Sequence, residues 1–101
     1  MDDKALFFSN KIRKKLSSNI KNIVLFGSRA RNDYNEGADY DFLIILKNKT
    51  PDIIDEIRDI EVDFLNEFDI LSSALIFNEE EWEKSKRLPI GLNIMREGKN
   101  L

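Results

Sequence analysis

Ile23-Val24-Leu25-Phe26-Gly27-Ser28-Arg29-Ala30-Arg31, then Ala38-Asp39-Tyr40-Asp41-Phe42-Leu43-Ile44-Ile45-Leu46, is the stretch whose reading decides the fold. Ile23 to Phe26 is a short, wholly apolar run stopped by Gly27-Ser28, the pattern of a buried strand entering a tight turn. Ser28 to Arg31 then opens a short helix. A turn of this kind aims backbone N–H groups outward, and the Ser28 hydroxyl adds a donor, so it suits an anion and a phosphate above all. Asp39 to Leu46 reads as a second strand that starts with two acids. Side chains at i and i+2 leave a strand on one face, about 6.7 Å apart at roughly 3.3 to 3.4 Å per residue. Ionised and unaccompanied, Asp39 and Asp41 would repel by about 2.5 kcal/mol at an effective dielectric of roughly 20. A divalent cation reverses that sign, and Mg²⁺ takes one or two protein carboxylates together with water and phosphate oxygens.

The residues that are missing narrow the chemistry. The chain has 101 residues with no Cys and no His, which excludes thiol nucleophiles, Ser-His-Asp triads, Cys/His zinc sites and disulfides. Catalysis would have to use carboxylates and metal. The length fits one domain, residues 1–101, burying somewhat over 60% of its unfolded surface. A net charge of -3 with interspersed signs argues against direct nucleic-acid binding. No apolar run approaches the roughly 18 to 20 residues of a membrane span, and no secretory leader is apparent, so the expectation is a cytoplasmic protein with no membrane association.

Outward from the two strands, the expected order is helix, strand, short helix, strand, helix, strand, helix, helix. A first helix over about Asp3 to Ser17 carries an apolar stripe at Ala5, Phe8, Ile12 and Leu16. Its late basic residues Lys11, Arg13, Lys14 and Lys15 suit the helix dipole, although they could also steer ATP or an acidic partner. Pro51 starts a helix to about Glu67, with Ile53, Ile54, Ile57, Ile60, Phe64 and Leu65 inward and the acids Asp52 to Glu67 on a solvated face. Asn78 reads as an N-cap with Glu81 completing a capping box, and Gly98 as the stop of a last helix from Pro89. Tyr40, Phe42, Ile44 and Leu46 alternate opposite the acids and give the sheet an apolar side for helices. Leu43 and Ile45 lie on the acids' own face, which must be covered in part by a helix or another chain. Trp82 and Tyr34 read as packing residues, with Tyr34 in the loop before the acids.

Gly-Ser, ten residues, Asp-x-Asp, as it stands in Gly27-Ser28-Arg29-Ala30-Arg31 to Ala38-Asp39-Tyr40-Asp41, resembles the minimal nucleotidyltransferase (MNT) domain of the DNA polymerase β superfamily. The likeness is greatest to the MNT antitoxins that partner HEPN-domain toxins. It extends to Asn78-Glu79-Glu80-Glu81-Trp82 and to Pro89 through Gly98, and so covers most of the chain. The resemblance implies an α/β (α+β) fold, a small mixed sheet with helices packed on one face and the nucleotide on the other. It also implies a protein adenylyltransferase that moves AMP from ATP to a hydroxyl, here a tyrosine of a HEPN toxin, with two Mg²⁺ ions. Catalytic and metal-holding residues would be Asp39, Asp41 and Asp69; Gly27, Ser28, Arg29 and Arg31 would bind the nucleotide.

Three positions depart from the family pattern. Asn32 stands where members often have Gly, and Asn tolerates the left-handed backbone that Gly would supply. Ala38 replaces a Ser before the first acid. The third carboxylate, expected from a later strand, falls to Asp69, the one acid in the run Phe68 to Phe77. Without a third acid, metal binding could persist while chemistry slows. Two other readings stay open: an antitoxin that neutralises its partner by occlusion, and a nucleotidyltransferase acting on a small molecule. Arg31 could alternatively pair with Asp33 or Glu36. Homo- or hetero-oligomers fit the apolar residues beside the acids.

Overall fold

The seven residues of Tyr40–Leu46 are the centre of the structure, buried throughout except at Asp41. The protein is described here by a computed structural model covering residues 2–101. Its elements run α1 (Asp3–Leu16), β1 (Ile20–Phe26), α2 (Ser28–Arg31), β2 (Tyr40–Leu46), α3 (Pro51–Phe68), β3 (Ser72–Asn78), α4 (Glu79–Ser85), α5 (Pro89–Glu97) and β4 (Lys99–Asn100), with a 3-10 turn at Ser17–Asn19. The sheet order is β3-β2-β1-β4. β1 runs antiparallel to β2 and β4, and β2 runs parallel to β3 through the α3 crossover. The sheet is therefore mixed, as expected for this α/β architecture.

On one face, Tyr40, Phe42, Ile44 and Leu46 meet α1 and α3. Phe8 of α1 stacks flat on Phe42, with centroids 4.0 Å apart, and Phe64 of α3 sets its ring edge against Tyr40 at 5.3 Å. Offset and edge-on ring pairs of this kind add about 0.5 to 1.5 kcal/mol beyond the area they bury. α1 is fixed at its start by Asp2, whose carboxylate caps the Lys4 and Ala5 N–H groups and accepts the Tyr40 hydroxyl. α3 begins at the Thr50 cap with Pro51 in its first turn. Ile57, Ile60 and Phe64 form its buried stripe, while Leu65, expected inward, is 37% exposed. Leu65 lies about 100° around the helix from Phe64, beyond the width of the contact.

The opposite face is covered over only part of its length. Val24, Leu43, Ile45 and Ile94 form a second cluster with Phe26, Leu75, Phe77 and Trp82 packed against it. The cover that Leu43 and Ile45 required thus comes from the chain itself, through α4 and α5. Trp82 is a packing residue, its ring 6.4 Å from Phe77. A Cβ at Gly91 would overlap the Ser85 carbonyl and Lys86, so glycine lets α5 close on the end of α4. The capping box forms with both arms, Glu81 N–H to Asn78 and Asn78 N–H to Glu81. Gly98 ends α5 as expected, but its backbone is extended and leads into β4, an edge strand that the sequence did not signal. Glu61, expected on a solvated face, instead accepts the Ala74 N–H at 2.8 Å, and Arg58 donates to the Ala74 carbonyl. Together they satisfy the outward backbone groups of Ala74 on the edge strand β3.

Candidate functional site

β1 ends where Gly27 turns the chain, with φ 75 and ψ -160, a conformation that L side chains rarely adopt. A Cβ there would collide with the Asp41 carboxylate. The glycine therefore serves two needs: it permits the turn, and it lets the Asp41 carboxylate lie directly against it. The antiparallel register sets this up, since Phe26 pairs with Asp41 and delivers Gly27 beside it. The Gly27 carbonyl accepts the N–H groups of Ala30 and Arg31, winding α2 out of the turn. Asn32 closes that helix at φ 65, so it takes the left-handed position that the sequence comparison with glycine required.

Asp39 and Asp41 stand at the mouth of β2, Asp39 exposed just before the strand and Asp41 partly buried within it. Burial pushes the Asp41 carboxyl above its ordinary value, and the charge of Asp39 pushes it in the same direction. Arg31 opposes this and Glu97 adds to it. Two acids whose charges oppose each other, with one lying against a donor-bearing turn, fit a hard divalent cation through oxygen donors.

The two arginines separate. Arg29 is 8% exposed and donates from Nε and Nη2 to the Ala38 carbonyl at 3.1 and 3.0 Å. Its guanidinium lies between the Tyr34 ring at 4.0 Å and the Tyr40 ring at 4.5 Å. It clamps the loop that presents Asp39, a structural task for a residue expected to reach the nucleotide. Arg31 is open, and pairs with Asp33 at 3.0 Å and with Glu97 at 3.1 Å.

Asp69 is not brought beside the pair. It caps α3 in the left-handed conformation at φ 55, exposed, three residues before β3 begins. Pairing starts only at Tyr40 with Ser72, and the residue in register with Asp41 is Ser73. Among the described residues no three carboxylates gather to hold a metal ion. The end of α3 takes Asp69 before β3 forms, and the residue in register with Asp41 carries a hydroxyl. Glu97, which sequence reasoning passed over, does reach the site: its carboxylate accepts the Gly27 N–H at 3.1 Å. No local pattern marks it, since 70 residues separate the two. A cleft of about 600 Å³ is lined by Lys4, Leu25, Tyr34 and Lys99 among others and includes neither Asp39 nor Asp41. Asp39 is exposed, and Asp41 is half-buried against Gly27.

Residues 9–94 match the family model described as a nucleotidyltransferase domain. The chain belongs to the nucleotidyltransferase domain family. A Methanocaldococcus jannaschii protein bearing the name "putative protein adenylyltransferase" is 33% identical over 95 residues, 93% of this chain and 90% of that one. In fold, the chain is similar to a crystal structure of a toxin-antitoxin with AMP-PNP, with TM-score 0.62 and 18% identity over 90% of this chain and 69% of that one. It is also similar to a "putative nucleotidyltransferase" from Sulfolobus solfataricus, with TM-score 0.54 and 18% identity over 97% and 82%. The enzyme class is thus nucleotidyltransferase. No helix among the described residues is long and apolar enough to cross a membrane.

Proposed function

We propose that this nucleotidyltransferase moves AMP from ATP to a tyrosine hydroxyl of a partner HEPN-domain toxin and so acts as its antitoxin. The observation that carries the reading is the Asp41 carboxylate lying against the Gly27 turn with Asp39 beside it, which unites a cation site and a phosphate site. Asp39 and Asp41 would hold Mg²⁺, which when bound neutralises phosphate charge and lowers the pKa of a coordinated hydroxyl. The Gly27 N–H and Ser28 hydroxyl would hold the β and γ phosphates, and Arg31 would neutralise charge growing on the leaving group. The tyrosine oxygen attacks the α phosphorus in line, the bond to the β-phosphate oxygen breaks, and pyrophosphate departs with the electron pair. The hydroxyl proton passes to water or a carboxylate. The names borne by the relatives, a putative protein adenylyltransferase and a toxin-antitoxin with AMP-PNP, support AMP transfer and a toxin as partner, while the HEPN class and the tyrosine rest on the sequence resemblance.

One observation favours a second reading. Ser73, not an acid, is in register with Asp41, so no carboxylate base stands at that position, and neutralisation by occlusion of the partner would then suffice. Intact mass spectrometry of a HEPN-domain protein encoded beside this one, after incubation with ATP and Mg²⁺, separates the two. A gain of one or more AMP units, lost with Asp39→Asn/Asp41→Asn, supports transfer. A stable complex without mass gain overturns it in favour of occlusion.

A further inference from the structure

The anion-binding turn already holds an anion. Glu97, the last residue of α5, has a side chain only 14% exposed, and its Oε1 accepts the Gly27 N–H at 3.1 Å. Both its oxygens lie 3.1 Å from Arg31 Nη1. These are two of the donors that the proposed function assigns to the β and γ phosphates. We propose that Glu97 occupies this phosphate subsite as an internal anion, so that a polyphosphate binds only by displacing its carboxylate from Gly27 and Arg31. The inference rests on the reading of this turn as the nucleotide site.

The backbone around Glu97 is held on both sides. The Gly98 N–H donates to the Ile94 carbonyl at 2.7 Å, and Lys99 pairs with Leu25 in the sheet. Displacement is therefore a side-chain rotation, not a movement of the helix. A carboxylate carries one charge, whereas two linked phosphates carry more and offer more oxygens to the same donors. Glu97 thus weakens the binding of every ligand with a β phosphate, and its return after transfer helps expel pyrophosphate. AMP has no group that competes for these donors.

Calorimetric titration of Mg·ATP, Mg·pyrophosphate and AMP into the wild type, Glu97→Gln and Glu97→Ala tests this. Both variants should bind Mg·ATP and Mg·pyrophosphate roughly tenfold more tightly, the scale of one charge-assisted hydrogen bond, and AMP within about twofold of wild type. If wild type binds and the variants bind no tighter, or gain equally for AMP, the inference is overturned while the nucleotide site stands. If none of the three binds either polyphosphate, the nucleotide site itself falls, and the inference with it. A readout on the wild type alone guards against a variant that fails to fold. The Gly27 amide resonance should move on addition of Mg·pyrophosphate and stay in place with AMP; equal shifts for both would also overturn the inference.

Discussion

On the helix side of β2, Phe42 is fully buried and stacks on Phe8 at 4.0 Å, while on the other side Asp41 holds a partly open carboxylate against Gly27. They are consecutive in sequence. The helix side is closed by two long helices and a run of aromatic contacts, and every demand on it is a packing demand. The acid side is closed from Leu43 onward by α4 and α5 and is left partly open where Asp39 and Asp41 lie. A strand with both faces covered along its whole length would be a better core element and would have no room for a cation or a phosphate. The incomplete cover is what leaves the acids accessible, and its cost falls on stability.

That contrast breaks most severely from the packed side. Phe42→Ala removes a ring in contact with Phe8, Tyr40 and Phe64. A loss of about 3 to 5 kcal/mol is expected, a large share of the stability of a domain this size. The urea midpoint measures it, and a loss under about 1 kcal/mol would mean that the aromatic cluster relaxes into the space. Between the two faces stands Arg29, whose effect should be smaller. Arg29→Lys keeps the charge and loses both the planar stack between two tyrosines and the paired donation to Ala38. The expected loss is about 1.5 to 3 kcal/mol, with faster hydrogen exchange across residues 32–38 and little change in the α3 amides. Unchanged exchange in that loop would remove Arg29 from its role as a clamp.

The packed side was also the more readable one. Ala5, Phe8, Ile12 and Leu16 repeat at helical spacing, Tyr40, Phe42, Ile44 and Leu46 alternate, and Pro51, Asn78 and Glu81 mark helix starts by local chemistry. All of these rules act over a few residues, and the structure follows them. Gly27 and the Asp39/Asp41 pair were legible for the same reason, as a turn signal and an i, i+2 repeat. What could not be read depends on contacts between distant segments. Glu97 reaches Gly27 across 70 residues, and α5 covers Val24 only because the chain returns through Gly91 and Gly98. Arg29 looked like a phosphate ligand because it follows the Gly27-Ser28 turn; only the folded loop shows that the Ala38 carbonyl takes its donors first. The placement of Asp69 was hidden for a subtler reason. An acid beside an apolar run can begin a strand or cap a helix, and the end of α3 decided between them.

The smallest effect isolates the exposed side. Burial and the neighbouring Asp39 raise the Asp41 carboxyl above its ordinary value of 3.8 in the folded protein. Between the unfolded and folded values, the native state therefore binds more protons than the unfolded chain. Stability from this group falls as pH rises through that window and is recovered as pH drops back through it. Asp41→Asn has no such term. The variant should melt above the wild type at pH 7, by less than either change above, and the difference should shrink toward zero below about pH 3.8, where both states of the wild type are protonated. Titrating groups that do not interact with Asp41 are common to both proteins and cancel in the comparison, whereas Asp39, Arg31 and Glu97 feel its loss. Millimolar Mg²⁺ at pH 7 should raise the wild-type melting temperature and shift the variant less, since a cation held between the carboxylates replaces their mutual repulsion with attraction. A variant that melts below the wild type at pH 7, with no response to Mg²⁺ in either protein, would mean that Asp41 stabilises the fold and that the partly open end of the sheet is no cation site.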